Sequence, residues 1–127
     1  MKRLIAIVVL ILPVQMALGD QHNVPDAVTA DPDHYTVEYE NDVIRVLRIK
    51  YGSGETSTKH KHPANCAIHL ASTTWSMVAG DGEVTENTTE VGSVECVDAE
   101  THTPTNVGDG TGELILVEIK DKGEYQR

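Results

Sequence analysis

From Tyr35 onward, apolar and polar positions alternate in short runs with a period of two, the pattern of strands that bury one face. Tyr35-Thr36-Val37-Glu38-Tyr39-Glu40 begins the series, Asn41-Asp42 turns the chain, and Val43 to Tyr51 makes a longer strand that ends at Gly52-Ser53-Gly54. Further strands are predicted at 57–62, 66–71, 75–79, 83–88, 94–98, 101–105 and 113–120. Gly80-Asp81-Gly82 and Gly108-Asp109-Gly110 supply turns between them. No window of a dozen residues carries an apolar stripe at helical spacing. The fold class is therefore all-β, an antiparallel sandwich or barrel. Because aromatic residues are 4% of the chain and Phe is absent, the core is expected to be aliphatic, built from Val, Ile and Leu.

The hydrophobic pattern ahead of Tyr35 is different. Lys2 and Arg3 precede an uninterrupted apolar run from Leu4 to Leu12, Pro13 breaks it, and Ala17-Leu18-Gly19 offers small residues to a peptidase. This is the layout of a cleaved signal peptide over 1–19. The run is well short of the ~20 apolar residues that span a bilayer, which disfavours a retained anchor. Residues 20–34, punctuated by Pro25 and Pro32, are expected to form an extended arm, and 35–127 a single β-domain. Export predicts a secreted or periplasmic protein.

Charge narrows the partners. All 20 acidic residues but only 8 of the 10 basic ones follow Gly19, so the net charge changes from −10 to about −12 after cleavage. Nucleic acid and anionic membranes both need a positive field, so neither is an expected partner. Cations and small molecules remain. Serine hydrolysis has no support, since no Gly-x-Ser-x-Gly elbow occurs. Asn87-Thr88-Thr89 is a glycosylation sequon, informative only in a eukaryotic secretory route.

Candidate chemistry lies in the histidines. His22 and His34 fall in the arm and read as surface residues. His60-Lys61-His62 is different, because residues two apart on a strand share a face and lie ~6.5–7 Å apart, within reach of one ion. Imidazole suits zinc, copper, iron, nickel or manganese. His102, which follows Asp98-Ala99-Glu100, is the best third ligand from a distant strand.

These residues resemble the cupin family. Gly54-(x5)-His60-x-His62 is similar to the opening of the first cupin motif, in which a glutamate follows His-x-His by three or four residues. Gly92-(x5)-Asp98-x-Glu100-x-His102-(x3)-Asn106 is similar to the second motif, with Asp98 and Glu100 where that motif has proline and glycine. Asn41-Asp42-Val43-Ile44-Arg45-Val46-Leu47-Arg48 and Glu113 to Lys120 also look like small single-domain cupins, so the likeness runs from about Tyr35 to Lys120. It implies a double-stranded β-helix, or jelly-roll, barrel holding one divalent transition metal (Fe, Mn, Ni, Cu or Zn) on His60, His62 and His102. The glutamate position falls at Cys66 or Ala67, which leaves the fourth ligand open.

Three readings of Cys66 stand side by side: a thiolate completing the metal site, a disulfide with Cys96 favoured by export, or a small buried apolar residue. His69 faces away from the cavity if Cys66 faces inward. If Ala67 faces inward, His69 lines the cavity and is a candidate to replace the glutamate.

Three neutral ligands leave an ion with an open position, as a catalytic site needs. The expected function is that of a secreted metal-binding cupin domain, whose site is open to oxygenase, isomerase or lyase chemistry on a small molecule. The alternative is a non-catalytic small-ligand or metal-binding module. The family and the exposed strand edges are also compatible with homodimerisation.

Overall fold

The computed structural model describes residues 23–120. The signal-peptide segment and His22 lie outside the described residues. Among the described residues, nine strands form two antiparallel sheets. The first sheet has the order β1-β2-β9-β4-β7 and is built from β1 (Tyr35–Glu40), β2 (Ile44–Tyr51), β9 (Gly112–Ile119), β4 (Asn65–His69) and β7 (Val94–Val97). The second has the order β3-β8-β5-β6, from β3 (His60–His62), β8 (Glu100–Asn106), β5 (Thr73–Ala79) and β6 (Val84–Thr89). Each lies on a stretch whose alternation predicts it. The first half of the predicted 57–62 strand is instead a crossing segment, held by Ser57 N–H donating to the Pro104 carbonyl at 3.0 Å.

The two sheets do not close into a single barrel. They lie face to face as a jelly-roll sandwich, each with its own ladder. Residues of the marginal strands β6 and β7 line a cavity of about 450 Å³ between the sheets. Inner-face side chains therefore join the layers where a barrel would use a continuous ladder.

The core corrects the aliphatic expectation. Tyr35, Tyr51 and Trp75 are buried together with Leu47, Ile49, Leu114 and Leu116, whereas Val84, Val91 and Val94 are exposed. Period two decides this, because each aromatic falls on an inward position of its strand, and a ring buries more area than a valine. The Tyr51 hydroxyl donates to that of Tyr35 at 2.8 Å, so both polar tips are satisfied inside. Both motif glycines sit in turns at positive φ, Gly54 at 79° and Gly92 at 83°, where any side chain would be strained.

The stretch expected as an extended arm is ordered against the domain over its described residues. Asp26 caps a single helical turn, α1 (Ala27–Ala30), accepting from Val28 N–H at 3.2 Å. Ala27 is fully buried, and the Pro25 carbonyl accepts from Lys61 N–H at 3.0 Å. Nor is His34 a plain surface residue. Its ring stacks on Tyr51 at 4.2 Å and bonds Asp31 at 2.7 Å and Glu55 at 3.1 Å. Burial would lower its pKa, but those two carboxylates outweigh burial and raise it.

A disulfide links Cys66 to Cys96 across the β4–β7 pair. It closes a separation of 30 residues, which in the chain-entropy account stabilises the fold by about 3–4 kcal/mol. The Cys66→Ser, Cys96→Ser double variant is expected to unfold in urea with a free energy lower by about that amount. Native-state hydrogen exchange should show β7, a marginal strand, fraying first. An unchanged urea midpoint would refute the structural role of the bond.

Candidate metal centre

β3 is three residues long and alternates buried, exposed, buried, so His60 and His62 face inward and Lys61 faces out. β8 brings the third histidine. In the ladder His60 lies opposite His102, and His62 lies opposite Glu100. The ligating atoms of His60, His62 and His102 all lie within 4.8 Å of one another. His60 and His62 are buried, and His102 keeps 12% of its side chain exposed. The ring centroids stand 4.8 to 5.2 Å apart, edge to face.

Each ring is oriented through Nδ1. The His60 Nδ1 meets the Thr58 carbonyl at 2.7 Å, the His62 Nδ1 meets Glu118 Oε1 at 2.7 Å, and the His102 Nδ1 meets Glu100 Oε2 at 3.2 Å. All three partners are acceptors, so each ring can donate from Nδ1, which leaves Nε2 as the atom directed toward the other two rings. Burial, opposed by the Thr58 carbonyl and reinforced by His102 and His62, holds the His60 pKa down at about 4, so that ring is neutral at pH 7. The Nε2 atoms of His60 and His102 lie 3.1 Å apart. Three converging imidazole nitrogens are a donor set that fits a transition-metal ion.

Two carboxylates hold this arrangement, Glu118 buried and Glu100 partly exposed. Glu118 is 1% exposed and accepts from Arg45 Nε at 2.5 Å as well as from His62. Burial would raise its pKa, but the hydrogen bonds from His62 and Arg45 and the Arg45 charge outweigh burial and lower it. Glu100 is lowered in the same way, burial being outweighed by His102. Arg45 in turn reaches Asp26 at 3.1 Å, so the cap of α1 is the outer end of a chain of contacts that leads to His62. The buried Tyr35 hydroxyl lies within hydrogen-bond reach of His60 Nε2, at 2.9 Å.

Cys66 does not join the three histidines, which corrects its candidacy as a ligand. Its sulfur is bonded to Cys96. On β4 the cavity is lined by Asn65, Ala67 and His69, and on β7 by Glu95 and Val97, so both cysteines point to the outer face of the sheet. Ala67 is thus the inward residue, and His69 lines the cavity but stands outside the ligand cluster. Asn106 is structural, since its amide donates to the carbonyls of Tyr51 at 3.1 Å and Gly110 at 2.7 Å.

Glu118 and Tyr35 were not singled out by their sequence. A signal for Glu118 exists, because Gly112, Leu114, Leu116 and Glu118 form one alternating buried row in which a lone carboxylate ends an apolar series. Such a residue needs a partner.

The chain superposes on a cupin domain from Bordetella pertussis Tohama I with a TM-score of 0.64 at 17% identity, covering 77% of this chain and 97% of that one. An uncharacterized conserved protein with a double-stranded β-helix domain from Klebsiella pneumoniae superposes at 0.55 and 18% identity, covering 70% of this chain and 78% of that one. A cupin superfamily protein from Desulfitobacterium hafniense does so at 0.53 and 12%, with coverage of 68% and 76%. No protein-family model matches the chain, and no curated protein matches it in sequence. At these identities the likeness shows the fold, and the fold is that of the cupins.

Proposed function

We propose that this chain is an exported metal-dependent enzyme that acts on a small molecule by oxygenase, isomerase or lyase chemistry. The observation that carries the reading is the convergence of three imidazole nitrogens beside a cavity of about 450 Å³, the size of a small-molecule site. His60, His62 and His102 would hold one divalent transition metal (Fe, Mn, Ni, Cu or Zn). Such an ion would polarise an oxygen of the bound molecule and leave coordination positions open for it. With the His60 Nε2 lone pair given to the metal, the Tyr35 hydroxyl would be free to donate a hydrogen bond to that oxygen. Burial keeps it protonated by raising its pKa well above the usual tyrosine value. The apolar cavity wall would exclude bulk water. The disulfide supports a secreted or periplasmic location, where such bonds persist.

One observation favours a second reading, a non-catalytic binding module. Glu118 and Glu100 are both committed to histidines, so neither is a free general base.

The test is elemental analysis of the protein purified without chelator. About one equivalent of one of the five metals is expected, and its identity narrows the chemistry. Protein that takes up none, even after reconstitution, would refute the metal reading. With metal bound, a ligand recovered chemically unchanged would favour the binding module.

A further inference from the structure

Two buried side chains of the cavity play no part in the metal centre. His69 is 5% exposed and Trp75 is 2% exposed, and both line the cavity. Among the described residues, neither ring nitrogen of His69 nor the Trp75 indole nitrogen has a hydrogen-bond partner. Buried polar groups are nearly always paired, and a pair of orphans in one cavity points to what the cavity takes in.

The inward row of β9 measures where they lie. Glu118, which holds His62, stands at one end of that row. Leu114, four positions away and thus about 13 Å along the strand, is the ladder partner of His69. Gly112 follows, and a Cβ placed there would lie 2.6 Å from the Trp75 ring. The second sheet agrees, because Ala79 lies opposite His102 and Trp75, four positions on, lies opposite Asn106. Both sheets therefore bring His69 and Trp75 together at the end of the cavity away from the three histidines. Ala67, Leu114 and Leu116 make the wall between the two ends apolar.

We propose that His69 and Trp75 form the second anchor of the ligand site and bind a neutral group that both accepts and donates hydrogen bonds, a carboxamide or a hydroxyl. The chemistry follows from the donor count. The indole offers one N–H, and a neutral imidazole offers one N–H and one lone pair. Burial lowers the His69 pKa against the weaker pull of Glu95, which keeps the ring neutral. A carboxylate would add a negative charge to a buried site beside Glu95. A neutral amide or hydroxyl accepts from the indole N–H and pairs with one imidazole nitrogen, whichever tautomer the ring adopts, without adding charge. The ligand is thus a small molecule with an apolar body, this neutral group at one end and an oxygen donor at the other. The oxygen end rests on the metal reading above, whereas the His69–Trp75 end does not.

The experiment is a nuclear magnetic resonance titration of the ¹⁵N-labelled protein with benzamide, benzoate and toluene, run on both metal-loaded and chelator-treated protein. Trp75 is the chain's single tryptophan, so its indole N–H signal reports on this end of the cavity. Benzamide is expected to shift that signal, to show proximity to the His69 ring, and to bind about tenfold more tightly than benzoate or toluene in both forms. In His69→Phe the preference should fall below about threefold. Trp75→Phe, followed by calorimetry, should do the same if the histidine variant does not fold. The proposal is overturned if benzamide binds no more tightly than toluene, if benzoate is preferred, or if the shifts fall on His62 and His102. Protein that takes up no metal but keeps the benzamide preference would sink the metal reading alone.

Discussion

The His60→Ala, His62→Ala double variant should lose metal binding altogether, with affinity reduced by at least about 10⁴-fold, while the domain stays folded. One remaining imidazole offers no chelate, and the affinity of a protein metal site comes from several preplaced donors acting together. His60 and His62 are both required for this, because they are the inward pair of a three-residue strand. In the metal-free protein the double substitution also removes the 3.1 Å contact between the Nε2 atoms of His60 and His102. The clearest readout is the shift in thermal unfolding on adding metal. Ligand at a thousand times its dissociation constant stabilises the wild type by about 4 kcal/mol. The variant should show no shift, with an unchanged β-sheet signature in circular dichroism. A variant that retained its equivalent of metal would place the site elsewhere.

Glu118→Gln should weaken metal binding by about 10–100-fold, although residue 118 touches no metal. The carboxylate orients His62 through Nδ1 at 2.7 Å and raises the basicity of the ring. Glutamine keeps the shape and loses the charge. The same change unpairs Arg45 on one side, and breaking a buried ion pair costs about 3–5 kcal/mol. The expected loss is near the lower limit, because Asp26 still holds Arg45 at 3.1 Å. Acid separates the electrostatic part. The folded Glu118 pKa lies below its ordinary value of 4.5. The contribution of the carboxylate is thus fully present above that value and is lost as pH falls through the depressed folded value. Urea unfolding should therefore show wild type and variant well apart at pH 7 and converging as pH falls below 4.5 and through the depressed folded value. A gap that persisted in acid would mean that packing, not charge, sets the difference.

Much of the candidate site is local, and that part was legible. His-x-His on a strand places two rings on one face whatever else the chain does. The positive-φ turns at Gly54 and Gly92 are likewise needed at their own positions. The third histidine came from a resemblance of spacing, and the β3–β8 register is what sets it opposite His60. Cys66 shows the limit. Its sequence left a ligand, a disulfide and a buried apolar residue all open, with export favouring the disulfide that the structure shows. A strand shifted by one residue exchanges all its inward and outward side chains, so local pattern could not choose among them. The aromatic core shows a second limit. Composition counts residues but not the faces they occupy, and three of the few aromatics fall on inward positions.

By itself, the sequence determined the set of strands, the turns between them, the all-β class and the His60–His62 pair. These follow from period two and from turn chemistry, which act over a few residues. Only the tertiary structure decided what lies beside what: Glu118 against His62 across 56 residues, Arg45 against Glu118 across 73, Cys66 on the outer face, and His69 with Trp75 at the far end of the cavity. The reason is that ladder register and the facing of two sheets are set by the whole core at once. No window of the chain contains the residues that fix them.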